Sequence, residues 1–439
     1  MSVYFQGTKD DEALASIEIL QKWRDSGIAA ATKQLRLIQE TQPKFTSCPL
    51  YKELELRLSG KPGPRVLVDG VWFCRAYGGI TRVWDQILSC WSLEGMVSDA
   101  APVCVIERGN HRFNIDSFQK VNGKFADPLD SRAVLELATE NAFFVSDWNA
   151  DVFVSSWIST SGPKSPSCSE IALVHDCLPE RFQAPPLLKN LRNRWLRGAS
   201  AHLAVSAATA DDLEKLLGKY SGSIPWCHLA PTPTFANSAV FAEENETWRI
   251  LKRHSGIAAP YVLLPATSAI GSYKNPELLL EALSAPGLEQ IQLIVSGIGA
   301  EIRQKEFEDF APALKGRILA AGFTDSELSL VYQNALAVII PSRIEGFGLP
   351  VIEALASKAL VLVADSRGLV EAGGKACLRF SADKPKELVQ LLQLILDRET
   401  WRGFDQVLIR RRNQRLSGLS SDLLGLCLLA AIRSLASGR

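Results

Sequence analysis

Two hydrophobic patterns alternate along most of this chain. Short runs of four or five consecutive apolar residues fit strands buried on both faces, and stretches whose apolar positions recur every three or four residues fit amphipathic helices. Arg65–Asp69, Val103–Ile106, Val152–Ser155, Ile171–Val174 and Leu203–Val205 read as strands in the first half. Tyr261–Leu264, Gln292–Val295, Ile318–Ala320, Leu336–Ile340 and Leu360–Val363 repeat the pattern in the second. Between them, Thr81–Trp91 puts Val83, Trp84, Ile87, Leu88 and Trp91 on one helical face, and Thr209–Leu217, Pro276–Leu283, Ser326–Asn334 and Leu349–Ser357 also read as helices. Thr324 and Glu327 have the spacing of a capping box, which marks a helix start. Strands alternating with helices imply parallel sheets covered on both faces. The pattern therefore predicts an α/β protein of two facing, Rossmann-like doubly wound domains, with ligands at the carboxyl ends of the strands in the cleft between them.

Residues 1–7, MSVYFQG, look like the remnant of a protease-cleavage tag and are set aside. Residues 8–60 form a helical extension, with Leu14, Ile17, Ile19, Leu20 and Trp23 at helical spacing, closed by the turn cluster Ser59–Pro64. The extension is expected to pack on the main body or on a protein partner. The first domain is placed at 61–240 and the second at 241–405, with the halves parting between Phe235 and Ser255. Residues 406–439 are expected to form helices that return to the first domain. The apolar stretch Leu423–Ile432 is about half a membrane span and reads as a buried helix.

Composition narrows the partners. With 48 basic and 48 acidic side chains the formal net charge is zero, so no global field draws in nucleic acid and any phosphate site must be local. The 47% apolar fraction fits a folded domain. Nine scattered cysteines, none in a C-x-x-C pair, read as reduced core thiols of a cytoplasmic protein, with no zinc or other metal expected. A peripheral association with the inner face of a membrane stays open.

The chemistry concentrates in Pro341–Ala356, PSRIEGFGLPVIEALA, which follows a very apolar strand and runs into a helix. Gly346 and Gly348 flank Phe347, allowing the backbone to turn and to approach a ligand closely. The helix start near Leu349 offers free amides and a positive dipole end, suited to phosphate or sugar hydroxyls. Glu345 precedes the glycines and Glu353 lies within the helix. Two glutamates alone fit a solvated loop residue at Glu345 and a helix ion pair at Glu353 better than they fit a ligand site. Upstream, Tyr273-Lys274-Asn275 precedes an apolar helix; Gly78-Gly79-Ile80-Thr81-Arg82 opens another, and His175-Asp176 ends a strand.

The whole string EGFGLPVIEALA, with its E-x7-E spacing, resembles the retaining GT-B glycosyltransferases of family GT4, the group 1 glycosyl transferases. The flanking segments Gly322–Leu328 and Leu369–Ala376 are similar to that family too, and the resemblance spans roughly residues 65–400. It implies a GT-B fold and transfer of a hexose-type sugar from a UDP- or GDP-sugar to a glycan, lipid-linked or other hydroxyl acceptor, without a metal or other cofactor. Carried over by position, it puts Glu345 at the donor sugar, Glu353 at the ribose and Lys274 at the diphosphate. Gly79 and Arg82 fall in the loop over the donor phosphates, and His175 falls at the active-site floor. Gly346, Phe347, Gly348 and Leu349 form the donor-binding turn.

Three positions depart from the family pattern. No arginine stands in Ala266–Tyr273, where many relatives have one; the "PNG" turn is replaced by Ala230–Thr234; and Lys358 takes the place of a frequent glycine. The absent arginine keeps a catalytically silent scaffold as an alternative. A nucleotide-sugar epimerase or a phosphorylase on the same architecture is a third reading.

Overall fold

The computed structural model describes residues 10–437, apart from 76–77, 110–112, 163–167, 183, 237–245, 259, 267, 298 and 398–404. The expected tag remnant 1–7 and the domain break at 240–241 lie outside the described residues. In the first half the strands are β1 Val66–Asp69, β2 Val103–Glu107, β3 Gln119–Asn122, β4 Val152–Ser155, β5 Ser169–Val174 and β6 Ala201–Ala204. In the second they are β7 Tyr261–Leu264, β8 Gln292–Ser296, β9 Ile318–Ala321, β10 Ala337–Ile340, β11 Val361–Ala364 and β12 Leu378–Phe380. They build two six-stranded sheets, ordered β3-β2-β1-β4-β5-β6 and β12-β11-β10-β7-β8-β9. Pairings within both are parallel, as between β1 and β4 or β7 and β10. The apolar runs are buried along their full length in β1, β4, β7, β10 and β11, as expected of strands covered on both faces. The Thr324 capping box forms as read, with reciprocal bonds to Glu327.

Chain contacts group the molecule into two units. The first comprises the described residues up to Leu229 together with those from Ser420 on. Here the helices Asp10–Thr41 and Pro49–Leu58 are part of the core, burying Ile19, Leu20, Trp23, Leu50 and Leu54. The C-terminal helix Leu423–Ser437 packs on Pro49–Leu58, on Gly79–Trp91 and on β5 and β6. Enclosed on several sides, it is buried continuously from Leu423 to Ile432. Charges at its ends tie it to the N-terminal helices. Arg24 pairs with Asp422, and Glu53 takes both Arg57, at 2.7 Å, and Arg433.

The second unit is Ala230–Leu419. It begins earlier than the expected Phe235–Ser255 passage because Phe235 is fully buried there, its ring 5.8 Å from Tyr332. The helix Asp405–Ser417 also belongs to this unit, with Arg415 donating to the Ala372 carbonyl at 2.7 Å. Of the segment 406–439, then, only the part from Ser420 returns to the first half. Among the described residues no helix is long and apolar enough to cross a membrane, and none of the nine cysteines forms a disulfide.

Candidate active site

In the second unit the strand order reverses between β7 and β10, the place where doubly wound sheets leave a crevice. The chain leaves β7 through Leu264-Pro265-Ala266 and β10 through Pro341 to Glu345, and these two exits line one open pocket of about 340 Å³, counted with its mouth. Lys274, Glu345 and Gly348 share its wall with Ala266, Ser268 and Ser342. The Lys274 ammonium donates to Glu345 Oε1 at 2.7 Å, with only 20% and 13% of the two side chains exposed. A pair screened to this degree from water interacts more strongly than a surface pair. Its partners remain open to the pocket, so an anion can compete for the lysine.

Asn275 sets this geometry. It is fully buried and left-handed (φ 56°), a conformation that asparagine tolerates better than most residues. Its amide donates to Pro341 O at 3.1 Å and to Ala382 O at 2.9 Å, and its Oδ1 accepts from Arg343 at 3.1 Å. The lysine before it is thereby held against the loop that carries Glu345. Arg343, on the same loop as Glu345, is engaged with Asn275 and Asp383.

Gly348 caps the Leu349–Ala356 helix with φ 119°, whereas Gly346 is not among the positive-φ glycines. Gly368 has no unusual φ, yet a Cβ there would collide with the carbonyl oxygen of Glu345. It lets the helix Arg367–Gly373 abut the glutamate's backbone, a role that local sequence does not signal. Glu353, by contrast, is buried on the second turn of its helix and does not line the pocket. Phe347 is also buried, with the Arg415 guanidinium 6.0 Å from its ring, and so wedges the turn onto the unit; Leu349 is 9% exposed. Lys358, just after this helix, adopts φ 66°, a left-handed position that favours glycine.

In the first unit Gly78, at φ 129°, precedes the Gly79–Trp91 helix. Thr81 is fully buried and its hydroxyl donates to Arg75 O at 3.1 Å, while half-buried Arg82 sits on the same first turn. His175 follows β5. Burial, with some contribution from the Arg192 charge, lowers its pKa to about 3, so the imidazole is neutral at physiological pH. That makes it a hydrogen-bonding group rather than a proton shuttle.

A second histidine gives a pH prediction. Buried His202 contacts Leu196 O through Nε2 at 2.7 Å and Lys219 Nζ through Nδ1 at 3.2 Å. The contacts fit a neutral ring that donates from Nε2 and accepts at Nδ1. Burial lowers its pKa to about 4. Between pH 6.5 and 4 the unfolded chain binds a proton at this residue that the folded chain does not, so stability falls as pH falls through that window. The loss from His202 is up to about 3 kcal/mol. Thermal melts from pH 7.5 to 4.5 should show it, and His202→Gln should flatten the slope.

Residues 250–410, just over a third of the chain, match the family described as "Glycosyl transferases group 1". A glycogen synthase of Rhodopseudomonas palustris (strain BisB18) is 35% identical over 109 residues, which is 25% of this chain and 22% of the relative. The chain thus spans well under half the length of the curated relatives it matches. A glycosyltransferase of Rickettsia africae superposes with a TM-score of 0.63 at 15% identity, covering 86% of this chain and all of that one. Anabaena Alr3699/HepE, solved with UDP and glucose, superposes with a TM-score of 0.57 at 17% identity over 82% of this chain and 97% of its own. The fold is that of the GT-B glycosyltransferases.

Proposed function

We propose that this chain is a retaining, metal-independent glycosyltransferase that moves a hexose-type sugar from a UDP- or GDP-sugar to a hydroxyl of a glycan or lipid-linked acceptor. The observation that carries the reading is the Lys274–Glu345 pair at the β7/β10 crevice, with Glu345 on the loop that opens the Leu349–Ala356 helix. The group 1 match over this unit and the UDP and glucose bound by the Anabaena neighbour support it.

Glycosyl transfer develops positive charge on the sugar ring and negative charge on the departing diphosphate. Lys274 and the amides at the helix start would stabilise the diphosphate. As the lysine turns to phosphate, Glu345 is released to orient the donor sugar. The departing phosphate would assist deprotonation of the acceptor, so no protein nucleophile is assigned. Glu353 is assigned to the ribose, with Gly346, Phe347, Gly348 and Leu349 shaping the turn. In the first unit, Gly79 and Arg82 act toward phosphate, and His175 hydrogen-bonds a sugar hydroxyl.

Calorimetry with UDP, GDP and ADP, followed by a donor panel monitored for hydrolysis, tests this reading; binding of none of the nucleotides would end it. Gly368→Ala should slow transfer about 10- to 100-fold while nucleotide affinity changes less, because it displaces the Glu345 backbone. Steady-state kinetics beside calorimetry would show the split. A catalytically silent scaffold is the second reading, favoured by Lys274 being the only cation among the described pocket-lining residues. Any donor turnover by the purified chain rules that out.

A further inference from the structure

The first sheet has its own reversal of strand order, between β1 and β4. The equivalent crevice of the second sheet holds the Lys274–Glu345 pocket. The chain leaves β1 through Gly70-Val71-Trp72 and β4 through Ser156-Trp157. Two indoles therefore meet at the switch point, their ring centroids 4.7 Å apart and inclined by 47°.

Trp72 is fixed from three sides. Its backbone N–H donates to Ser156 Oγ at 2.9 Å, and its indole N–H donates to Thr81 Oγ1 at 3.2 Å, on the first turn of the helix opened by Gly79. Its ring lies against Trp157. Trp157 differs, because it keeps part of its surface in solvent while its buried Nε1 has no acceptor among the described residues. Buried tryptophans usually pair this N–H; core Trp195 of the same unit is another that does not among the described residues, but unlike Trp157 it has almost no surface left in solvent. β4 and β5 are parallel neighbours in the register Val154↔Ile171, so both strands end at the same edge of the sheet. There His175 Nδ1 is likewise buried without a partner among the described residues. An indole N–H can only donate, whereas an imidazole nitrogen without hydrogen accepts, and a hydroxyl supplies both complements.

We propose that Trp157, backed by Trp72, is the platform on which the acceptor's sugar ring stacks, with the Trp157 N–H and His175 Nδ1 taking its hydroxyls. Flat aromatic area bordered by a few fixed polar groups is the usual make-up of a small-ligand site. Trp72 links the platform to the glycine turn through Thr81, so the two features of the first unit are braced together. The inference rests on the transferase reading, and its test separates the two.

The full chain is titrated with methyl α-glucoside, methyl α-galactoside and maltotriose in the presence of UDP, using saturation-transfer NMR, and UDP affinity is measured in parallel by calorimetry. Wild-type protein should bind at least one of these sugars. Trp157→Ala should lose that binding while UDP affinity stays within about twofold. Trp157→Phe, which keeps a ring but loses the N–H, should weaken sugar binding about 5- to 10-fold, as expected for one lost hydrogen bond. It carries the test alone if the alanine variant does not fold. Sugar affinity unchanged in either folded variant overturns the proposal, as does wild-type protein that binds UDP but none of the sugars. Failure to bind UDP, GDP and ADP removes the transferase reading and this inference with it.

Discussion

Glu345→Gln is expected to slow sugar transfer at least about 100-fold while nucleotide affinity stays level or tightens. The substitution preserves the side chain's size, and the loop is held independently by Asn275 and by the close approach of Gly368, so the fold should persist. What changes is charge. In the native protein the Lys274 ammonium is shared with Glu345 at 2.7 Å. A neutral amide leaves that ammonium available to a diphosphate but removes the negative charge that would meet the developing cation on the sugar. Lys274→Ala should show the opposite split, weakening nucleotide binding about 10- to 100-fold through loss of a charge-assisted contact. Because the two groups touch, the effects of the double variant should be less than additive. Calorimetry and single-turnover kinetics on the three variants measure this. Equal losses of rate and affinity in both single variants would contradict the separate roles.

The second large effect concerns stability. Glu53→Ala should cost about 3–5 kcal/mol, because it leaves Arg57 buried and strips both arginines of their carboxylate. Among the described residues the Arg57 head keeps only its bond to Met96 O, at 2.7 Å, and Arg433 keeps Pro62 O, at 3.1 Å. Domains of ordinary stability hold only about 5–15 kcal/mol in total, so the variant should unfold at a much lower denaturant midpoint, with the C-terminal helix released first. Urea melts followed by near-ultraviolet circular dichroism, where the buried Trp91 reports on that helix through its bond to Gly425 O, would register it. A midpoint within error of wild type would mean that the triad contributes no net stability.

These two sites differ in how much of them could be read from sequence. The interior strands were legible because burial on both faces demands unbroken apolar runs, and Val66–Asp69 or Ala337–Ile340 contain nothing else except the terminal aspartate. The edge strands β3 and β12 were missed for the same reason. Gln119–Asn122 is mostly exposed and polar, and Leu378–Phe380 is buried only at its last residue, so neither has a periodic signature. Similarly, EGFGLPVIEALA marked the loop and helix of the candidate site, and the Lys274–Asn275 dipeptide marked its cation, because both are short, contiguous strings. Contributions from far along the chain left no such trace. Gly368 acts only through the space it leaves for Glu345, and Asn275 acts through carbonyls at Pro341 and Ala382.

The sequence by itself therefore determined the two parallel α/β halves, the glycine turn before the Leu349–Ala356 helix, and the candidate residues on it, since each is written in local periodicity or in one unbroken motif. Tertiary structure decided the rest. It joined residues 10–58 and 420–437 into one core, because an amphipathic helix specifies that it must be covered but not by what. It brought Lys274 to Glu345, 71 positions away, through two strand exits that become neighbours only when β7 and β10 pair. It buried Glu353 and Phe347 while leaving Glu345 in the pocket wall, because the left-handed turn at Gly348 directs the chain there, and side-chain direction follows from backbone path rather than residue type.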